Sequence, residues 1–239
     1  MAPAPIEDRE VRLLEAAAEL FARHGYDKTT IDDVARRAGV SKGSVYLAFE
    51  GKQQLFEAML LTQMRAFSEA WLAAVRAHPR GGTLGAMYQA MLRALDDNPF
   101  MSVVFRRDPA LLGRYLQQPD NFFRDYAAGQ PTRHEVIAMM QEAGAVRRDV
   151  DPKVVAHIIN MIAYGMVSLD TVVDRAQMPE TDAMLEGIAT FMDRAFTPED
   201  GGDSEAGKAV IERIFAGGIA AFDGLIDARR ARRPMEDER

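Results

Sequence analysis

Apolar residues recur at spacings of three and four along most of the chain, and no stretch shows the sustained apolar/polar alternation of a strand. The first such segment runs from about Glu7 to Arg23. Its apolar face consists of Val11, Leu14, Ala18 and Phe21. Gly25 follows, and a glycine just past a helix commonly adopts the left-handed conformation that caps it. The pattern predicts an all-α protein that begins with an amphipathic helix.

A second, shorter helix is marked by its start and stop signals. Thr30 lies at the position of an N-cap and Asp33 follows three residues later, which is the spacing of a capping box. The apolar face that follows consists of Ile31, Val34, Ala35 and Ala38. Gly39 ends the segment, so we expect a helix over residues 31–38.

The stretch VSKGSVYLAFEGK, residues 40–52, predicts a third helix of only about eight residues. Ser41 is placed as its N-cap, and Val40 and Val45 have the spacing of a hydrophobic staple. Val45 and Phe49 would face the core. The remaining side chains would point outward: Lys42, Gly43, Ser44, Tyr46 and Leu47. Two short helices joined by a tight turn form a helix-turn-helix, whose second helix enters the major groove of DNA.

Beyond Gly51 the pattern indicates a series of longer helices. A helix from Lys52 to about His78 ends before Pro79. Further helices are expected over residues 82–97, 100–117, 119–143, 151–176, 180–196 and 204–231. The sequence thus predicts an N-terminal three-helix domain with the helix-turn-helix, residues 1–51, and a C-terminal helical domain, residues 52–239, in which residues 52–78 form the connecting helix.

The charge balance limits how this chain could bind DNA. The formal net charge is −7, and residues 1–52 carry eight Lys and Arg against nine Asp and Glu, a net of −1. A few locally placed cations must therefore supply the phosphate contacts. The absence of cysteine excludes disulfides, thiolate catalysis and cysteine zinc sites. With no signal-peptide pattern and no run of about 18 apolar residues, we expect a cytoplasmic protein without membrane contact.

Residues 14–60 closely resemble the DNA-binding domain of TetR-family transcriptional regulators. The matching elements are the Phe-x-x-x-Gly-Tyr of residues 21–26, Thr30, the Ala-Gly-Val-Ser turn of residues 38–41, Gly43, Tyr46, Phe49, Lys52 and Leu55. The sequence departs from the family pattern at Ala48, where histidine is frequent, and at Leu47, where an aromatic residue is frequent. Both positions are on the exposed face of the third helix, so the resemblance implies no particular operator sequence.

The resemblance implies a role in DNA binding for eight residues: Thr30, Ser41, Lys42, Gly43, Ser44, Tyr46, Leu47 and Lys52. Thr30, Tyr46 and Lys52 would bind phosphates. Lys42, Ser44 and Leu47 would face base edges, where Lys42 suits guanine acceptors and Leu47 a thymine methyl group. Gly43 would let the helix backbone approach the DNA closely. Thr30 and Ser41 could instead be helix caps alone, worth about 1 kcal/mol each, and Tyr46 could be a core aromatic residue.

By the same resemblance, residues 79–239 would form a ligand-binding and dimerisation domain, and a homodimer would bind a pseudo-palindromic double-stranded operator. Two predicted helices carry apolar residues at coiled-coil spacing. One stripe is Val155, Ile159, Ile162, Met166, Leu169 and Val173, and the other is Ile211, Phe215, Gly218, Phe222 and Leu225. The stripes are expected to form a four-helix interface between subunits. The alternative is that one of them packs inside its own subunit.

Opposite the first stripe lies an arc of uncharged hydrogen-bonding residues: His157, Asn160, Tyr164, Ser168 and Thr171. Such a composition suits the wall of a mostly apolar cavity, although a buried polar network without a cavity would also explain it. A small-molecule effector is expected to bind between this arc and Trp71 and to tilt the connecting helix. The predicted ligand-binding residues are Met64, Phe67, Trp71, Tyr88, Phe105, Phe123, Tyr126, His157, Asn160, Met161 and Tyr164.

Enzymatic chemistry gains no support from the sequence. Residues 202–208 nearly match a phosphate-binding loop, but Ala209 replaces the magnesium-binding hydroxyl, and Ser204 fits better as a helix N-cap. His134 and Glu135 begin a zinc-protease motif that lacks its second histidine. No cofactor or metal is expected. The sequence predicts a DNA-binding regulator, in most relatives a repressor, released by a small, largely apolar effector. The alternative is a helical ligand-binding or scaffold protein whose helix-turn-helix has lost DNA affinity.

Overall fold

The fold is known from a computed structural model, which describes residues 6–106, 108–118, 121, 130–169 and 172–231. Every regular element in these ranges is helical, so the predicted all-α fold is confirmed. The α-helices are α1 (Ile6–Lys28), α2 (Ile31–Ala38), α3 (Lys42–Ala48), α4 (Lys52–Ala77), α5 (Leu84–Asp96), α6 (Pro99–Arg106), α7 (Pro109–Leu112), α8 (Arg133–Glu142), α9 (Pro152–Ser168), α10 (Thr181–Phe196) and α11 (Ser204–Ala231). Short 3-10 helices cover Gly113–Gln117 and Arg175–Gln177. Within the described ranges, none of the helices has the length and apolar character needed to cross a bilayer.

The described residues belong to two compact units. The first unit draws on Met1–Ala66, Val103–Gly129 and Ile219–Arg239, and the second on Phe67–Ser102 and Gln130–Gly218. The first unit therefore contains α1 to α3 together with the start of α4, α7 and the 3-10 helix that follows α7. The second unit contains α5 and α8 to α10, in which α5 packs along α10 and α8 along α9.

The first unit is organised around the apolar faces of its N-terminal helices. Val34 of α2 and Val45 of α3 are completely buried, and Phe21 and Phe49 are nearly so, as the periodicity predicts. The first helix extends further than predicted, to Lys28, because the chain resumes a helical path after Gly25. Gly25 has a positive φ of 76° with ψ of 170°, so it interrupts the helix instead of capping its end.

Three predicted helices of the C-terminal region have different bounds. The expected helix over 100–117 is divided, because Pro109 cannot donate a helical hydrogen bond and starts a new helix instead. The expected helix over 151–176 ends at Ser168, before a Thr-Val-Val run of poor helix formers. Of the expected helix over 119–143, the described residues form α8, which Thr132 caps with a capping box; residues 119, 120 and 122–129 lie outside the described ranges.

The start of α11 has the predicted position but not the predicted cap. The carboxylate of Asp203 accepts the backbone N–H of Ala206 at 2.8 Å, which makes Asp203 the N-cap. The hydroxyl of Ser204 instead accepts the backbone N–H of Gly82 at 3.1 Å. The predicted cap at Ser204 is therefore wrong, because its hydroxyl joins α11 to the loop before α5.

The apolar stripes predicted to form a subunit interface lie largely inside the chain. Val155, Ile159, Ile211, Phe215 and Phe222 are each at least nine-tenths buried without a partner subunit. The expectation that these five residues face a second subunit is therefore wrong, because they are buried in the core of their own subunit. The rest of the first stripe, Ile162, Met166, Leu169 and Val173, is half-buried. The side chain of Leu225 lies outside what the structure describes.

Candidate nucleic-acid interface

The turn between α2 and α3 is fixed by local hydrogen bonds. Thr30 and Asp33 form the predicted capping box, with each backbone N–H donating to the other side chain at 3.2 Å. The hydrogen bond from the Thr30 hydroxyl also lowers the pKa of the Asp33 carboxyl. Gly39 has the left-handed conformation of a C-cap, and Ser41 accepts the backbone N–H of Ser44 at 3.1 Å. The two predicted N-caps, Thr30 and Ser41, are confirmed, so α3 starts from a defined position.

α3 presents one face to the core and the other to solvent. Val45 is completely buried, whereas Tyr46 is 50% exposed and Leu47 is 74% exposed. The alternative that Tyr46 belongs to the core is therefore wrong. Lys42 and Gly43 are also exposed, and the Ser44 hydroxyl lies 2.8 Å from that of Ser41. The helix thus displays cationic, hydroxyl, aromatic and aliphatic groups, the types that contact phosphates and base edges.

Among the residues that the structure describes, none packs closely against Gly43. A Cβ placed on this residue would meet its nearest atom, the Ser41 hydroxyl, at 3.8 Å, which is an ordinary van der Waals contact. The protein itself therefore tolerates a side chain at this position. A glycine there is consistent with close approach by an external molecule to the start of α3.

Lys42 is held by an acidic neighbour. Its ammonium lies 2.9 Å from the carboxylate of Asp32 on α2, and both side chains are more than half exposed. The hydrogen bond to Asp32 raises the pKa of Lys42, so the Lys42 side chain stays positively charged at neutral pH. An ion pair as exposed as this one contributes little to stability, because water and salt screen it. A base or phosphate can therefore displace Asp32 at little cost.

Lys52 is turned toward the protein instead of extending into solvent. Its ammonium donates to the backbone carbonyl of Asp27 at 3.2 Å and lies 4.4 Å from the ring centroid of Tyr26, a cation–π arrangement. Burial lowers the pKa of Lys52. The residue still opens α4, four positions after the end of α3. It therefore lies next to α3, the second helix of the helix-turn-helix, which is its recognition helix.

The first unit also contains residues that the sequence reasoning did not identify. Tyr115 is completely buried, and its hydroxyl donates to Glu57 of α4 at 3.0 Å. Arg114 donates to the Asp27 carboxylate through its backbone N–H at 3.3 Å and through Nε at 3.0 Å. These bonds lower the pKa of Asp27. No spacing signal could reveal them, because the paired residues are 58 and 87 positions apart.

The predicted ligand-binding residues do not form the expected cavity wall. On α9, His157 is exposed, Met161 is 57% exposed and Tyr164 is 58% exposed, so these three side chains face solvent in the single subunit, whereas Ser168 of the arc is half-buried. The prediction that the arc lines an enclosed cavity is wrong, because α9 buries its opposite, aliphatic face. Asn160 is half-buried.

The other predicted ligand-binding residues are distributed over both units. Met64 and Phe105 belong to the first unit, and Phe67, Trp71 and Tyr88 to the second. Trp71 donates from Nε1 to the carbonyl of Met87 at 3.0 Å and stacks edge-on against Phe215, with 4.7 Å between centroids. Burial raises the pKa of Tyr88. Phe123, Tyr126 and Thr171 lie outside the described residues.

Comparison with known proteins agrees with this arrangement. Residues 13–59 match the sequence profile of the tetR family of bacterial regulatory proteins. The chain is 29% identical over 165 residues to the probable acrEF/envCD operon repressor of Escherichia coli, covering 65% of this chain and 72% of that protein. It is 25% identical over 215 residues to the HTH-type transcriptional repressor KstR2 of Rhodococcus jostii, covering 80% and 98% of the two chains.

A solved structure extends the likeness to the fold of the C-terminal region. NalD, the secondary repressor of the MexAB-OprM multidrug efflux pump in Pseudomonas aeruginosa, superposes with a TM-score of 0.57 at 21% identity. The match covers 81% of this chain and 98% of that chain. Residues 13–59 thus match the profile of the tetR family of bacterial regulatory proteins, and the chain is similar to named transcriptional repressors over most of its length.

Proposed function

We propose that this protein is a transcriptional repressor that binds operator DNA through α3 and leaves it when a small effector binds. The observation that carries the proposal is the outward face of α3, which exposes Lys42, Gly43, Tyr46 and Leu47 on a helix fixed by Ser41. The names of the acrEF/envCD and KstR2 relatives support repression as the mode of regulation. In this proposal Thr30, Tyr46 and Lys52 contact phosphates, and Lys42, Ser44 and Leu47 face base edges.

DNA binding is tested by fluorescence anisotropy. The probes are a duplex from the region upstream of the protein's own gene and a duplex selected by the protein from a random-sequence pool. The proposal expects a selected duplex to bind at least about 1,000-fold tighter than a scrambled one. Failure to select any sequence would contradict it and favour a helical ligand-binding protein whose helix-turn-helix no longer binds DNA.

Replacing Gly43 with alanine tests whether DNA approaches this residue closely, because the change should affect operator affinity without destabilising the fold. The added methyl group has room in the protein, so the free energy of unfolding should stay the same or rise by up to about 1 kcal/mol. Operator affinity should fall by roughly ten-fold or more, the equivalent of one lost base contact. Gly217→Ala on α11, where the added Cβ meets open space, is the matched control and should bind as the wild type does. Unchanged affinity of Gly43→Ala would refute close approach at this residue.

The proposal includes a homodimer, because a single helix-turn-helix reads only one half-site. The outward faces of α9 and α10 carry large apolar side chains that are more than half exposed: Val154, Met161, Tyr164 and Phe191. Monomeric proteins rarely leave such a face open to water. Two copies of these two helices would bury it in a four-helix interface, in place of the stripes that fill the core. The exposed arc of α9 would then serve subunit contact and not effector binding.

The effector is proposed to act at the aromatic residues of the second unit, Phe67, Trp71 and Tyr88. These side chains offer apolar surface and a buried hydroxyl, a composition that suits a small, largely apolar molecule. An effector that displaces Trp71 from Phe215 would move α4, which begins at Lys52 beside the recognition helix. Since Trp71 is the only tryptophan, its fluorescence reports binding. Release of the operator by a compound that leaves Trp71 fluorescence unchanged would refute this site.

A further inference from the structure

A solvent-open cavity of about 450 Å³ lies in the first unit beside the start of α4. It is lined by Tyr26, Lys52, Arg114, Gln117 and Gln118. Of these five residues, only Tyr26 and Lys52 lie within residues 13–59, the region that matches the tetR family profile. The other three residues come from the segment after α7.

Two cations of this cavity meet at a single residue, Asp27. Lys52 donates to its backbone carbonyl at 3.2 Å, and Arg114 donates to its carboxylate through Nε at 3.0 Å and through its backbone N–H at 3.3 Å. Two positive charges therefore stand against one negative charge, which leaves the group with a net charge of +1. The Arg114 side chain remains 78% exposed, so most of its guanidinium is accessible from the cavity.

The backbone holds Arg114 at this place. Gly113 has φ of +52°, and a Cβ there would lie 2.4 Å from the Asp27 carboxylate, so only glycine allows this approach. The residue after Arg114, Tyr115, is completely buried, and its hydroxyl donates a hydrogen bond to Glu57 of α4. A cation held between two such anchors loses little conformational freedom when it binds an anion.

We propose that this cavity receives a phosphate group of the operator backbone, bound by the guanidinium of Arg114 together with the ammonium of Lys52. Arginine is suited to this task because its planar guanidinium binds phosphate oxygens in pairs. Lys52 follows α3 by four residues, so the cavity borders the recognition helix. The segment 113–118 would thus extend the DNA-binding surface beyond the helix-turn-helix. The inference rests on the proposed DNA-binding function.

The test measures operator affinity against salt concentration for Arg114→Gln, using a duplex that the wild-type protein selects from a random pool. Loss of one phosphate contact per subunit should lower the slope of log K against log salt by about one per subunit and weaken binding by roughly ten-fold. Arg114→Lys should keep most of the slope, because it keeps the charge. The matched control is Arg93→Gln, which removes an equally charged, exposed residue paired with Asp182 in the second unit and should change neither quantity.

Two outcomes would overturn the inference. An Arg114→Gln protein that melts near the wild-type temperature and retains the wild-type slope would show that Arg114 touches no phosphate on DNA. A free phosphoanion would be the occupant if sodium phosphate, compared with sodium chloride at equal ionic strength, raised the melting temperature of the wild type but not of Arg114→Gln while the slope stayed unchanged. Failure of the wild type itself to bind any duplex would instead refute the proposed function.

Discussion

Replacing Met161 and Tyr164 together by glutamate is expected to make the protein monomeric and to weaken operator binding by at least about 100-fold. The two side chains are 57% and 58% exposed on the outward face of α9, so the single subunit can carry the charges in water. In the proposed dimer the same charges would be buried next to their symmetry mates, which costs several kcal/mol. A monomer then loses the second half-site and with it the gain in affinity from bivalent binding.

Sedimentation velocity at micromolar protein concentration measures the first effect, and anisotropy with the selected duplex measures the second. Ala216→Glu, on the exposed side of α11, is the control that distinguishes the helices, since it should leave the dimer intact. The helical content of all three proteins should agree by circular dichroism. A double variant that still sediments as a dimer would place the interface elsewhere, and a dimeric double variant with weak DNA binding would also contradict the proposal.

The orientation of α9 shows where periodicity stops being informative. After Lys153 in its first turn, this helix carries no charged residue: Val155 and Ile159 lie on one side, and Met161 and Tyr164 lie on the other. The usual rule, that the charged face meets solvent, therefore has only one residue to act on. The sequence indicates two different uncharged faces, but packing against α8 decides which of them the subunit buries. That choice depends on the volume available to aliphatic side chains in the core, which no local pattern expresses.

The helix-turn-helix was predictable because its signals are local. The caps Thr30, Gly39 and Ser41 each act within four residues, and Val45 and Phe49 mark the buried face within one helical turn. The contact between Asp27 and Arg114 spans 87 positions and depends on how the chain leaves α7. The sequence indicates a functional role for Lys52 but not its contacts with the Asp27 carbonyl and the Tyr26 ring.

Replacing Tyr115 with alanine is expected to lower the free energy of unfolding by about 3–5 kcal/mol, the range for removing a buried aromatic side chain. Tyr115 is completely buried and packs edge-on against Phe56 with 4.6 Å between ring centroids. The ring also lies 5.5 Å from that of Tyr26, so the cavity left by alanine opens beneath two other aromatic residues. Loss of the hydrogen bond to Glu57, itself buried, adds to the destabilisation.

Denaturant unfolding followed by circular dichroism measures the change, and two variants separate its causes. Tyr115→Phe keeps the ring contacts and removes only the hydroxyl, so it should cost about 1 kcal/mol. Tyr46→Ala makes the same tyrosine-to-alanine change at a residue that is 50% exposed, where a surface substitution should cost no more than about 0.5 kcal/mol. If Tyr115→Ala proved no more destabilising than Tyr46→Ala, the segment after α7 would not be a structural part of the DNA-binding unit. A large loss for Tyr115→Ala with a small loss for Tyr115→Phe would show that ring packing, more than the bond to Glu57, fixes this segment beside α4.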